Sequence, residues 1–188
     1  MLSAANSRYT FLTKFLQSPG QIGSVTPSST FLTKKMFENV DWNEIDLIVE
    51  LGAGTGVFTE YISLHKKTAT TAVIIEKDDE MRSALKRQYP SFHFGTEAED
   101  LAEFTQERNC KQVDCIISGL PFANFSPAEG ERILQASLRT LKPGGLFIAF
   151  QYSLQMKKML EKHFQEVTIE FVPFNLPPAF IYTCKKIS

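Results

Sequence analysis

Cysteine is scarce and scattered: Cys110, Cys115 and Cys184 are the only three in 188 residues, too few for a disulfide framework and wrongly spaced for a metal cluster. They read as reduced thiols. The three histidines, His65, His93 and His163, share no local spacing with cysteines or paired acids, so neither a metal centre nor a Ser-His-Asp triad has support. No stretch reaches the roughly 18 to 20 continuous apolar residues of a membrane-spanning helix, and the N-terminus lacks an apolar signal core with a small-residue cleavage site. The expectation is a cytoplasmic protein. A strong net charge is absent too: 20 Lys and Arg stand against 21 Asp and Glu, for a net charge of -1. With a pI near 6.3, nothing points to a body built for nucleic acid.

What is there suits one buried core. At 43% hydrophobic and 22% charged residues, residues 1–188 are expected to form a single domain, with a leading helical segment over 1–40 and an α/β core over 41–188. The charge is unevenly spread. Residues 1–37 contain Arg8, Lys14, Lys34 and Lys35 and no acid before Glu38, which puts +4 in the leading segment and leaves -5 for the remainder of the net -1. A basic lead on an acidic body fits either an anionic surface or a solvated helix.

Short apolar runs at 46–51, 72–76, 113–118 and 145–151, with a shorter one at 92–94, alternate with helix-compatible stretches at 57–66, 78–88 and 127–141 and a helix starting near Asp100. That alternation predicts a doubly wound, mostly parallel sheet. Runs such as Leu47-Ile48-Val49 and Cys115-Ile116-Ile117 predict strands covered on both faces. Residues 166–172 and 179–185 lack an intervening helix and predict an antiparallel hairpin at the sheet edge, joined irregularly through Pro173, Pro177 and Pro178. Upstream, Tyr9, Leu12, Phe15 and Leu16 gather near one face of a helix over 2–17, with Phe11 at its border. The loop 18–29 follows, and Ser28 or Ser29 is a candidate cap for a helix over 30–39.

The first strand runs into Glu50-Leu51-Gly52-Ala53-Gly54-Thr55-Gly56. Glycines there let backbone amides approach a ligand, and the next helix offers its N-terminus to anionic groups. The spacing does not fit the dinucleotide fingerprint, whose third glycine would fall at Val57, and no Gly-Lys-Ser/Thr follows to make a phosphate loop. Glu76 stands 24 residues after Gly52 at the end of the second strand, where its carboxylate can accept from both ribose hydroxyls of an adenosine ligand. The segment Gly95-Thr96-Glu97-Ala98-Glu99-Asp100-Leu101 places acids where an adenine amino group would lie. Glu97, followed by the small Ala98, is either the base-reading acid or part of a solvated helix cap.

This glycine loop with Glu76 resembles the first two motifs of class I S-adenosylmethionine (SAM)-dependent methyltransferases over roughly residues 46–185. The resemblance implies a seven-stranded Rossmann-like sheet and SAM as cofactor. Three further segments resemble bacterial phospholipid N-methyltransferases, relatives of the rRNA adenine dimethyltransferases. They are Phe15-Leu16-x-x-Pro19 with Ile22-Gly23-Ser24-Val25-Thr26-Pro27-Ser28-Ser29, then Ser118-Gly119-Leu120-Pro121-Phe122, then Asn175-Leu176-Pro177-Pro178-Ala179. The wider amino-methylating group has Asn or Asp where this chain has Gly119. Loss of that polar side chain counts against a planar base and fits the phospholipid branch.

The resemblance implies cofactor contacts from Ser24, Thr26, Glu50, Gly52, Ala53, Gly54, Gly56, Glu76, Lys77, Glu97, Ala98 and Ser118, with Ser28 a further loop hydroxyl. It puts Gly119, Leu120, Pro121 and Phe122 at the acceptor. The carbonyl of Gly119 or Leu120 can orient an amine, and Tyr9, Phe122, Phe125 and Tyr152 are aromatic candidates for holding a methylated cation, Phe122 first among them. The expected partner is an amine acceptor on a phospholipid headgroup of phosphatidylethanolamine type. Residues 2–17 either lie at the inner membrane face, with Phe11, Leu12, Phe15 and Leu16 in lipid and Arg8 and Lys14 at anionic headgroups, or pack on their own domain. RNA adenine, a soluble small amine and a non-catalytic SAM-binding module are the other readings.

Overall fold

A computed structural model describes residues 27–107 and 112–187. Helix α1 (Pro27–Met36) precedes strand β1 (Leu47–Leu51), and the core continues as α2 (Val57–His65), β2 (Thr71–Ile75), α3 (Asp79–Gln88), β3 (His93–Gly95) and α4 (Leu101–Glu107). Then come β4 (Val113–Ser118), a 3-10 turn (Phe122–Asn124), α5 (Pro127–Thr140), β5 (Leu141–Gln151), α6 (Lys157–His163), β6 (Glu166–Val172) and β7 (Ala179–Lys185).

The strands form one sheet in the order β3-β2-β1-β4-β5-β7-β6. The first five run parallel, and β7 is antiparallel to both β5 and β6. Every residue of β1 and β4 is buried. Their alternate side chains feed two separate cores: Val49, Leu51 and Ile116 join one, Ile48, Cys115 and Ile117 the other. The unbroken apolar runs are therefore read correctly as strands covered on both faces.

Local chemistry sets the helix starts. Asp78 accepts from the Met81 amide at 2.9 Å and caps α3, while Ser126 and Glu129 form a capping box ahead of Pro127 at the start of α5. Each satisfies a first-turn amide that has no partner within the helix.

Three boundaries differ from expectation. Helix α1 begins at Pro27 and ends at Met36, so Ser28 and Ser29 lie inside its first turn instead of preceding it; proline's fixed φ suits that first position. Strand β5 begins four residues early, because Leu141 pairs with Val113 before the register breaks and Leu146 resumes with Cys115. The turn chemistry of Pro143-Gly144-Gly145 interrupts the ladder without ending the strand. Helix α6 was not anticipated. The helix expected over 2–17 and the loop residues 18–26 lie outside the described residues.

Candidate active site

Between β1 and β4 the strand order turns back, and neighbouring loops leave the sheet in opposite directions; ligands of open α/β sheets bind there. A cleft of about 310 Å³ lies at that edge, and Gly52, Gly54, Glu76, Lys77, Glu97, Ala98, Gly119, Leu120 and Pro121 line it. Residues spread over 70 positions of sequence are thus brought to one wall because β1, β2 and β4 are adjacent and parallel.

Backbone hydrogen bonds lock the loops together. The Gly52 amide donates to the Ile75 carbonyl at 2.8 Å, and that of Gly119 to the Leu51 carbonyl at 2.9 Å. Glu76 accepts from the Gly54 amide at 2.6 Å and from the Asp78 amide at 2.9 Å, one N–H at each carboxylate oxygen. A carboxylate has about four acceptor directions. Two therefore remain for ligand hydroxyls at a residue 9% exposed.

Gly52, Gly54 and Gly56 have φ of 74°, 56° and 90°, the left-handed region that side-chain-bearing residues rarely occupy. A Cβ on Gly54 would meet nothing within 4 Å, so the glycine holds open space that belongs to the cleft. At Gly119 a Cβ would come within 2.8 Å of the Gly52 carbonyl oxygen. The missing polar side chain at 119 is thus a packing requirement: two loop backbones touch where it would stand.

Glu50 sits beneath the loop, wholly buried. It accepts from Thr59 Oγ1 at 2.6 Å through one oxygen, while its Oε1 is buried without a partner among the described residues. Burial pushes its carboxyl up to about 8, the Thr59 hydrogen bond opposes, and the Glu76 carboxylate adds to the rise. Ser118 is fully buried, and its Oγ accepts from the Leu120 amide at 3.4 Å. Ala53, Gly56 and Ser118 shape the loops without lining the cleft. Ser24 and Thr26 lie outside the described residues, as does Tyr9.

The acceptor side differs from expectation in its aromatic. Phe122 is 6% exposed and packs within the core, meeting Phe125 edge-on at 5.6 Å between centroids. Phe125 is the ring that lines the cleft. The carbonyl of Leu120 already accepts from the Phe122 amide at 3.0 Å and from Gln151 Nε2 at 2.9 Å. Tyr152 packs edge-on against Phe150, on the other face of the sheet.

Sequence reasoning missed Asp78, Met81, Glu129 and Ile133 in the cleft wall. The capping pattern of Asp78 was readable, but Glu129 and Ile133 arrive only because α5 packs against α4 and β5. Glu99 also lines the wall, yet Arg132 Nε donates to it at 2.6 Å. Glu97 makes a weaker, exposed contact of 3.3 Å with Lys77.

These residues fit an adenosyl group carrying a cationic amino-acid tail: a glycine opening, a strand-end carboxylate with free acceptor directions and a buried unpaired carboxyl oxygen. Such a site on a sheet of this order defines a class I SAM-dependent methyltransferase.

Comparison with known proteins agrees. A family model described as a methyltransferase domain matches residues 48–145. An ornithine lipid N-methyltransferase from Singulisphaera acidiphila is 31% identical over 185 residues, covering 95% of this chain and 96% of that protein. The chain belongs to the SAM-dependent methyltransferases, is an enzyme of N-methyl transfer and takes SAM as cofactor. Two solved structures share the fold. An O-methyltransferase from Bacillus cereus with bound S-adenosylhomocysteine superposes with a TM-score of 0.71 at 13% identity, over 97% of this chain and 90% of that one. An N-methyltransferase from Bradyrhizobium japonicum WM9, also with S-adenosylhomocysteine, gives 0.69 at 13% identity over 96% and 98%.

Proposed function

We propose that this enzyme methylates the primary amine of a membrane lipid headgroup, of the phosphatidylethanolamine or amino-acid lipid type. The observation that carries the reading is the end-to-end similarity to an ornithine lipid N-methyltransferase. The contact between Gly119 and Gly52 supports it, because no side chain at 119 can grip a planar base amide-fashion. An amine on a flexible headgroup needs less: one carbonyl to orient it and an aromatic wall.

In this reading Gly119 offers the carbonyl, since that of Leu120 is taken by two donors. Phe125 offers the ring face for a cation that becomes more methylated with each transfer. Glu76 holds the ribose, Glu97 and the Ala98 amide read the adenine, and Gly52 and Gly54 let the backbone approach. The bound cofactor supplies an electrophilic methyl on sulfur, and the chain's task is to keep amine, methyl and sulfur in line at near-attack distance. A protonated amine must first release its proton to a neighbouring oxygen or water.

The test is full-length protein with methyl-labelled SAM and, separately, vesicles containing phosphatidylethanolamine, vesicles containing ornithine lipid, RNA, and free ethanolamine. Label in lipid is the expected result. Label in RNA or free amine but in neither lipid overturns the reading. Peripheral membrane contact through residues 2–17 belongs to the same proposal: deleting them is expected to weaken vesicle sedimentation more than SAM binding, and unchanged sedimentation removes that role.

A further inference from the structure

Strands β5 and β6 are each antiparallel to β7, so they run in the same direction. The loop 173–178 after β6 therefore leaves the sheet at the edge where the glycine loop and Gly119 lie. It is also tied to that edge. Gln151, at the end of β5, holds the Leu120 carbonyl, and the next residue, Tyr152, has the Asn175 side chain of the loop as a polar neighbour.

Asn175 is 3% exposed and donates from Nδ2 to the Pro177 carbonyl at 2.6 Å. Its neighbours on either side do the opposite: Phe174 is 79% exposed and Leu176 72%. The middle residue is pinned inward while both flanking side chains stand out to water. Phe31 of α1, 37% exposed, meets Phe174 edge-on at 6.2 Å between centroids. The run from Pro173 to Phe180 contains no charged residue. Large apolar side chains held outward by a pinned loop mark a contact surface.

A protein partner is a poor occupant, because a stable interface needs about 800 Å² from each side, far more than two side chains and a ring edge supply. A lipid surface asks only that a few apolar groups enter it beside polar backbone. We propose that the loop 173–178, with Phe31 beside it, is a membrane-insertion tip that sets the acceptor end of the cleft against a lipid surface. This rests on the lipid reading of the acceptor and adds where the bilayer meets the protein.

The tip is tested in the full-length chain with Phe174→Ser/Leu176→Ser, and with Leu64→Ser as control, Leu64 being 72% exposed at the far end of α2. Sedimentation with phosphatidylcholine/phosphatidylglycerol vesicles is expected to fall by about 30-fold for the double variant and to stay unchanged for the control, on a transfer basis. S-adenosylhomocysteine affinity, melting temperature and turnover of a monomeric short-chain amino lipid should match the parent protein. Unchanged vesicle binding by the double variant overturns the tip. So does a vesicle-free dimer of the parent that the double substitution dissociates, because the surface is then a subunit contact. Lipid methylation with unaltered vesicle binding sinks the tip and leaves the acceptor reading standing; loss of vesicle binding by the double variant, with no lipid methylated by the parent, does the reverse.

Discussion

The side-chain amide of Gln151 donates to the main-chain oxygen of Leu120 at 2.9 Å, linking the end of β5 to the loop that follows β4. Gln151 is 4% exposed, and its own oxygen accepts from Gln155. In the proposed reading it is a positioning residue: it occupies the Leu120 carbonyl and leaves the amine to that of Gly119. Gln151→Leu should lower kcat by up to about 100-fold, the scale of a misplaced acceptor, while leaving S-adenosylhomocysteine affinity within about twofold by calorimetry. A matching loss of cofactor affinity would show that Gln151 supports the whole site instead.

Gly119→Asn, which restores the polar residue of nucleic-acid amino methyltransferases, should not restore their activity. Its Cβ would press on the Gly52 carbonyl oxygen, a backbone atom with little room to move. Cofactor affinity should fall by more than about 10-fold, roughly 1.4 kcal/mol, with no label entering RNA. Unimpaired binding would mean that the two loops separate freely.

Glu76→Ala removes the acceptor for the Gly54 and Asp78 amides and, in the proposed reading, the carboxylate that holds the ribose. Charge-assisted hydrogen bonds contribute about 1.5–3 kcal/mol each, so a 10- to 100-fold weaker SAM affinity is expected by calorimetry. Gly54→Arg should abolish binding by filling the space that glycine leaves open.

Phe122 and Phe125 should separate cleanly. Phe122→Ala empties a core site and should cost about 3–5 kcal/mol of stability, read as a large drop in melting temperature. Phe125→Ala, at the cleft wall, should leave melting nearly unchanged and reduce kcat/KM for the amine. The opposite pattern would return the acceptor role to Phe122.

Glu50 gives the apoenzyme a pH dependence. Its folded carboxyl lies near 8 against an ordinary 4.5, so between those values the folded state binds more protons than the unfolded one. Stability from this group is therefore present below 4.5 and is lost as pH rises through 8. Relative to Glu50→Gln, the parent should lose roughly 5 °C of melting temperature between pH 6 and 8.5. Parallel curves for the two proteins would show that Glu50 stays charged.

Much of this was legible because it is local. A strand entering Gly-x-Gly-x-Gly, an acid at the next strand end and a hairpin without a helix are short-range patterns, and each appears in the structure within a residue or two of its expected place. Boundaries failed where competing local signals had to be arbitrated by pairing, as at Pro143-Gly144-Gly145, where the Leu141–Val113 pair and backbone hydrogen bonds of Gly144 and Gly145 with Lys186 carry β5 through the turn.

The glycine loop, Glu76 and the two-faced strands followed from residue order alone, since backbone conformation and burial periodicity are set by neighbours in sequence. Tertiary structure decided the rest. The exchange of Phe122 for Phe125 at the cleft, the sealing of the Leu120 carbonyl by Gln151 and the contact that keeps position 119 glycine all join residues between 3 and 67 positions apart. Only packing determines which of two nearby rings faces a ligand, or which carbonyl is left free to meet one.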